Sequence, residues 1–282
     1  DLFVARLSAD GTRLVAGTYL GGSRNDGINF IEGSMFTSFH TESPLARNYG
    51  DQERGDVITD VQDNVFIASV TASTDFPVVN TSTDAGFGGG HLDGVVAKLS
   101  ADLNSIQWTR LVGGTGEDAA LSVKMAPDGD VYLAGGTNST DFRGLHGFHQ
   151  QNNGDIDGWI ARLSGDGTTV SHGTYLGTGG YDQVYFIDLD TAQRVYAYGQ
   201  TNGPYPVQGQ VYKNASGGQF LHQLSSDLSQ TGFSTTLGSG RGGPDISPTA
   251  FLVSDCGTIY MGGWGGYLND PFFGNYVGGN TL

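Results

Sequence analysis

The 282-residue sequence contains a single cysteine, Cys256. A lone thiol closes no intrachain disulfide and builds no thiolate cage for a metal. Cationic residues are also scarce: 13 Lys and Arg stand against 29 Asp and Glu, and lysine occurs only at Lys98, Lys124 and Lys213. With a formal net charge of −16 the chain repels a phosphate backbone, which excludes nucleic acid as a partner. No run of eighteen apolar residues occurs, so no membrane-spanning helix is expected. The first residues, DLFVARLSADG, carry neither a signal-peptide core nor an initiator Met, as expected of a processed product or a piece of a longer chain.

Glycine, by contrast, is abundant at 47 residues, and 15 Phe and 13 Tyr are spread along the chain. Short strands joined by tight turns are expected from that pairing, because each glycine would cost a helix about 1 kcal/mol. A hydrophobic fraction of 37% is enough to fill a core. The acidic, lysine-poor, cysteine-poor composition suits an exported bacterial protein, extracellular or at the cell surface.

Two stretches, VFIASVTASTDF from Val65 and VYLAGGTNSTDF from Val131, share seven of twelve letters at a separation of 66 residues. They belong to a longer unit whose landmarks recur in the same order four times. A first strand reads LFVARLS at Leu2, GVVAKLS at Gly94, GWIARLS at Gly158 and QFLHQLS at Gln219. A second ends in TYLGG, RLVGG, TYLGT or TTLGS, and a third segment then leads through a turn to a fourth strand, as in PDGDVYLAGG. The first strands start 92, 64 and 61 residues apart, so the unit is a little over sixty residues and the first copy holds an insertion around 30–51. Units of about 1–90, 91–155, 156–217 and 218–282 follow, each predicted to supply four short antiparallel strands. One such meander cannot bury both its faces, so the units must stack. The expected fold is all-β, a β-propeller of about four four-stranded repeat units, alone or as part of a larger ring.

The pattern resembles the SBBP repeat of bacterial β-propeller proteins. The matching letters are Ala97 to Ser100, Gly113-Gly114, Asp118, Pro127 to Gly129, Val131-Tyr132 and Thr137 to Phe142, with Thr71 to Pro77 as a second close match. The fourth copy, DCGTIYMGGWGG from Asp255, looks like a variant found in large Bacteroidota surface proteins exported by type IX secretion. The third copy departs most, with Asn202 to Tyr205 in place of STDF. The resemblance implies a propeller and brings no catalytic motif.

Several residues have both a chemical and an architectural reading. An Asp follows the Gly-Gly turn in each unit, Asp26, Asp118, Asp182 and, at an offset of two residues, Asp245. Four such carboxylates could ring a channel and hold a cation, whereas a short Asp that accepts N–H bonds within its own turn explains the same recurrence more simply. Asn153, Asp155 and Asp157 match the front half of a Ca²⁺ loop, but Ser164 stands where the closing acid belongs. His146 and His149 are spaced HxxH, with His91 and Asp141 as conceivable acid/base or metal partners, yet the chain has no HExxH, GxSxG or Walker-type loop.

An exported, non-enzymatic structural or protein-interaction module, self-assembling in one variant, is the expected function. Met35, Phe36, Phe39 and Tyr49 in the insertion, and Phe272 and Phe273 near the end, are candidate interaction residues, being more apolar than a solvated loop requires. A carbohydrate-binding or carbohydrate-active propeller is the alternative, although Trp108, Trp159 and Trp264 fall on predicted strands, where burial is expected rather than contact with a glycan.

Overall fold

The computed structural model describes residues 1–29, 43–48, 50–80, 86–143, 145, 149 and 151–265. Sixteen strands and one 3₁₀ turn, Asp51–Glu53, make up the regular structure of these residues. Strands β1 (Leu2–Leu7) and β2 (Leu14–Leu20) pair as a two-stranded sheet. Sheet I contains β3 (Asp56–Thr59), β4 (Val65–Thr71), β5 (Asp93–Leu99) and β6 (Ile106–Val112). Sheet II contains β7 (Asp118–Met125), β8 (Val131–Thr137), β9 (Asp157–Leu163) and β10 (Val170–Leu176). Sheet III contains β11 (Asp182–Leu189), β12 (Val195–Thr201), β13 (Gln219–Leu224) and β14 (Thr231–Leu237). Strands β15 (Ile246–Val253) and β16 (Ile259–Gly265) pair as a second two-stranded sheet.

Within every sheet, consecutive strands pair antiparallel, so each sheet is a meander. Each complete sheet takes two strands from one sequence unit and two from the next, an offset of half a unit from the sequence period. The sheets share one register. Val65 opposes Leu99 in sheet I, Val131 opposes Leu163 in sheet II, and Val195 opposes Leu224 in sheet III.

Apolar residues on both sheet faces bury one another, which explains why β4, β8 and β12 are buried along their whole length. One core cluster joins Phe66, Ala68 and Val96 of sheet I to Val123, Leu133 and Trp159 of sheet II. A second joins Tyr132 and Ile160 of sheet II to Val184, Ile187 and Phe220 of sheet III. First strands meet in succession, β3 with β7, β7 with β11 and β11 with β15. The arrangement is propeller-like.

The turn letters have equally local causes. In the LS-x-D turns, the hydroxyls of Ser8, Ser100, Ser164 and Ser225 donate to Asp10, Asp102, Asp166 and Asp227 at 2.5 to 2.6 Å. The same carboxylates accept the N–H of Thr12, Asn104, Thr168 and Ser229. These bonds hold Asp10, Asp166 and Asp227 at a pKa of about 2.

Candidate functional site

The recurring Asp residues sit where the last strand of one sheet crosses to the first strand of the next. Asp26 Oδ2 accepts the Gly22 N–H at 2.9 Å, Asp118 Oδ2 that of Gly114 at 2.8 Å, and Asp182 Oδ2 that of Thr178 at 2.6 Å. Asp245, with its longer loop, accepts from Ser239 N–H at 2.9 Å. Each side chain thus closes the turn that precedes it, a use suited to a short carboxylate. The other oxygen ties the turn to the end of the second strand: Thr71 Oγ1 donates to Asp26 at 2.5 Å, and Thr137 Oγ1 donates to Asp118.

The repeated STDF letters complete the link. Thr71 and Thr137 each accept the N–H of the Ser two residues on, Ser73 and Ser139. Those two Ser hydroxyls accept the N–H of Arg24 and Gly116 in the crossing turn. Asp75 accepts from Ser23 N–H, and Asp141 from Thr115 N–H, at 2.9 and 2.8 Å. Phe142 lies against Trp159 with ring centroids 4.7 Å apart. In the third copy Tyr205 stacks on Phe220 at 4.1 Å, so an aromatic wedge persists where the letters diverge. The duplicated stretch therefore fastens a strand end, a crossing turn and an aromatic wedge.

A second acid lies at three of the four crossings, Asp1 before β1, Asp93 at the head of β5 and Asp157 at the head of β9; at the fourth, β13 begins with Gln219. An ideal Cβ on Gly21 would lie 2.4 Å from oxygens of both Asp1 and Asp26, so any larger residue here must push these carboxylates aside. Asp93 and Asp157 are the corresponding residues in sheets I and II; each accepts one backbone N–H, from Gly88 and Asn153, and keeps a buried oxygen without a partner. Burial, with Asp118 adding charge repulsion, raises Asp93 to about 8, and burial with Asp182 raises Asp157 to about 7. Asp118 is raised to about 6 by burial, against the pull of its three donors.

Within the half Ca²⁺ loop, Asp157 is fully buried and turned back onto Asn153 N–H, whereas Asp155 is exposed. Among the described residues, no three His, Cys, Asp or Glu side chains come together in a way that could hold a metal ion. Asp26 and Asp118 spend both oxygens on N–H and O–H donors, which compete with any cation, whereas Asp182 spends Oδ2 on Thr178 and keeps a buried Oδ1 without a partner. His91 Nδ1 lies 2.7 Å from Glu117 Oε1, while Asp141 belongs to the STDF link. The His149 ring titrates below its usual range because it is partly buried, and His146 lies outside the described residues.

Trp108 and Trp159 are buried, each donating its indole N–H to backbone carbonyls, so neither ring can stack on a glycan. Trp264, expected to be buried, is 46% exposed because the outer edge and one face of β16 are uncovered among the described residues.

Part of the insertion packs inward. Leu45 is fully buried in a cluster with Val70 of sheet I, Ala119 and Leu121 of sheet II, and Tyr181 and Tyr185 beside or within β11. Asp51, also fully buried, accepts from Arg47 N–H, Asn48 N–H and the Tyr185 hydroxyl. Arg54 donates to Asp51 at 3.1 Å, lies over the Tyr185 and Phe186 rings, and reaches the Pro248 carbonyl of β15 at 3.0 Å. Asn48 and Gln200 exchange amide hydrogen bonds at 2.8 and 3.0 Å. Sequence reading missed this polar plug. Its signal was the third copy, where Tyr181, Gln183, Tyr185 and Gln200 replace the Glu117, Ala119, Leu121 and Gly136 of the second. Met35, Phe36, Phe39, Tyr49, Phe272 and Phe273 lie outside the described residues.

No helix among the described residues is long and apolar enough to cross a membrane. No model of a known protein family matches the chain, and no curated protein matches it.

Proposed function

We propose that the chain is a β-propeller of SBBP-type repeats that works outside a bacterial cell as a rigid, non-enzymatic structural or protein-interaction module. The observation that carries this reading is that the residues most suggestive of chemistry, the recurring Asp, Ser and Thr, are consumed in turns and inter-sheet links that repeat from unit to unit. A scaffold of this kind meets its ordering cost on folding, so loops displayed on it bind with little further entropy loss. The apolar residues Met35, Phe36 and Phe39 of the insertion and Phe272 and Phe273 near the end are its proposed contact surface, through which the protein self-associates.

Sedimentation velocity over a wide concentration range tests this self-association. Reversible oligomers are expected, weakened when Met35, Phe36 and Phe39 are changed to Ser. A strictly monomeric protein at every concentration removes self-association. Protease shaving of intact cells making the full precursor tests placement: surface release of this segment is expected, and protection until lysis contradicts the reading.

A further inference from the structure

Strand β2 matches β6, β10 and β14, the outer strands of sheets I, II and III. Register fixes the correspondence: Tyr19 opposes Phe3 as Leu111 opposes Val95, Tyr175 opposes Trp159 and Thr236 opposes Phe220. Each of those three outer edges is covered by a piece of the linker that precedes it. Thr109 N–H donates to the Val79 carbonyl, Tyr175 N–H donates to the His149 carbonyl, and Ser234 and Gln208 exchange two backbone bonds, all at 3.0 Å. Among the described residues nothing pairs with the outer edge of β2, where Gly17 holds the position of Thr109 and Ser234.

The side chains beside that edge are equally unfilled. In each covered sheet the linker also lays down an aromatic ring: Phe76 shares a core cluster with Val95 and Leu111, Phe142 lies 4.7 Å from Trp159, and Tyr205 stacks on Phe220 at 4.1 Å. Val95, Trp159 and Phe220 are buried, whereas Phe3 at their position is 62% exposed. Thr18-Tyr19-Leu20 repeats the letters of Thr174-Tyr175-Leu176. The Tyr175 hydroxyl donates to the Ser139 carbonyl and accepts the Phe142 N–H, and the Thr174 hydroxyl accepts the His149 N–H. Tyr19 is instead 72% exposed, and the Thr18 hydroxyl turns back to the Tyr19 carbonyl. A groove of about 410 Å³ lined by Thr18, Tyr19, Leu20, Val79 and Ile106 follows this edge.

The two segments that pair at the Gly17 position show what fits there. Phe76-Pro77-Val78-Val79 covers β6 and Tyr205-Pro206-Val207-Gln208 covers β14; both read aromatic, Pro, Val and then the residue that pairs with the edge. Pro holds its own backbone extended, which fixes the separation between ring and edge bond. The chain has no third aromatic-Pro-Val sequence, and Phe76 and Tyr205 are both buried in their own sheets. A segment of this chemistry therefore comes from another polypeptide.

We propose that the outer edge of β2 is a strand-addition site for an extended aromatic-Pro-Val-x segment of another protein, its ring on Phe3 beside Tyr19 and its fourth residue paired antiparallel with Gly17. The inference rests on the interaction-module reading and names the chemistry of one partner.

The test is fluorescence anisotropy of a labelled peptide with the sequence of residues 74–81, TDFPVVNT, titrated with the intact chain. Saturable binding is expected, weakened about tenfold or more by Phe3→Ala or Tyr19→Ala in the protein and by Phe76→Ala in the peptide. Both protein positions are exposed, so neither change threatens the fold. Amide exchange at Gly17 and Tyr19 should slow when peptide is added. No saturable binding up to about 1 mM protein, or binding indifferent to all three changes, overturns the site. Protection of Gly17 that grows with protein concentration alone assigns the edge to a second copy and overturns it too. A protein that binds no peptide yet forms reversible oligomers loses this site and keeps the interaction-module reading; one that does neither loses both.

Discussion

The Thr71 hydroxyl donates a 2.5 Å hydrogen bond to the Asp26 carboxylate, 45 residues earlier in the chain. One bond thus joins the crossing into sheet I to the end of its second strand, and Thr137 repeats it on Asp118 in sheet II. Letters that recur because they make such joints should affect stability and leave binding alone.

Aromatic wedges provide the first check. Phe142→Ala removes a ring packed on Trp159 between two sheets and should cost about 3 to 5 kcal/mol in urea unfolding. Phe142→Leu, which keeps most of the volume, should cost clearly less. Equal midpoints for wild type and Phe142→Ala would mean the ring is not buried in solution.

Stability should fall toward alkaline pH. Asp93 and Asp157 have folded pKa values of about 8 and about 7 against an ordinary 3.8, so the folded state binds more protons than the unfolded state between these values. Their contribution is fully present below 3.8 and is lost as pH rises through about 7 to 8. At the acid end, Asp166 and Asp227, lowered to about 2, lose their contribution as pH falls from 3.8 toward 2. Melting temperature against pH should therefore peak in mild acid. The Asp93→Asn, Asp157→Asn double variant should flatten the alkaline limb, and an unchanged limb would contradict this assignment.

Close backbone approach accounts for part of the glycine. A Cβ on Gly88 would come within 2.0 Å of the Gly114 carbonyl oxygen, and one on Gly90 within 2.2 Å of that of Gly116. Gly88→Ala should lower the melting temperature markedly, whereas Gly86→Ala, with nothing within 4 Å, should be nearly neutral. Similar losses for both, read by scanning calorimetry, would argue against the contact.

Calcium should not matter to the crossings. Since Asp118 is satisfied by Gly114 N–H and the Thr137 and Ser139 hydroxyls, EDTA or added Ca²⁺ is expected to leave the melting temperature unchanged. A clear drop with EDTA, restored by Ca²⁺, would assign these carboxylates to a cation.

The sequence displays the strands plainly. Alternation in GVVAKLS and GWIARLS, with Asp-Gly turns between, leaves little choice about β5, β9 and their neighbours. Sheet boundaries were not legible, because a cyclic repeat reads the same wherever it is cut; only pairing shows that Thr137 ends a second strand and Asp157 begins a third. The pairing of Asp93 with Asp118 was equally hidden, since the two meet across a crossing and share no local pattern. The plug of Asn48, Asp51 and Arg54 depends on contacts to residues more than 130 positions away, beyond any spacing rule.

The repeated letters are joints of equivalent sheets. Urea unfolding of Asp26→Ala, Asp118→Ala and Asp182→Ala tests it most directly. Each variant orphans a turn N–H and the hydroxyl bonded with it, so all three should be destabilised by about 2 to 4 kcal/mol, in step with one another. Three proteins as stable as the wild type would contradict the claim and show that these carboxylates serve something other than the fold.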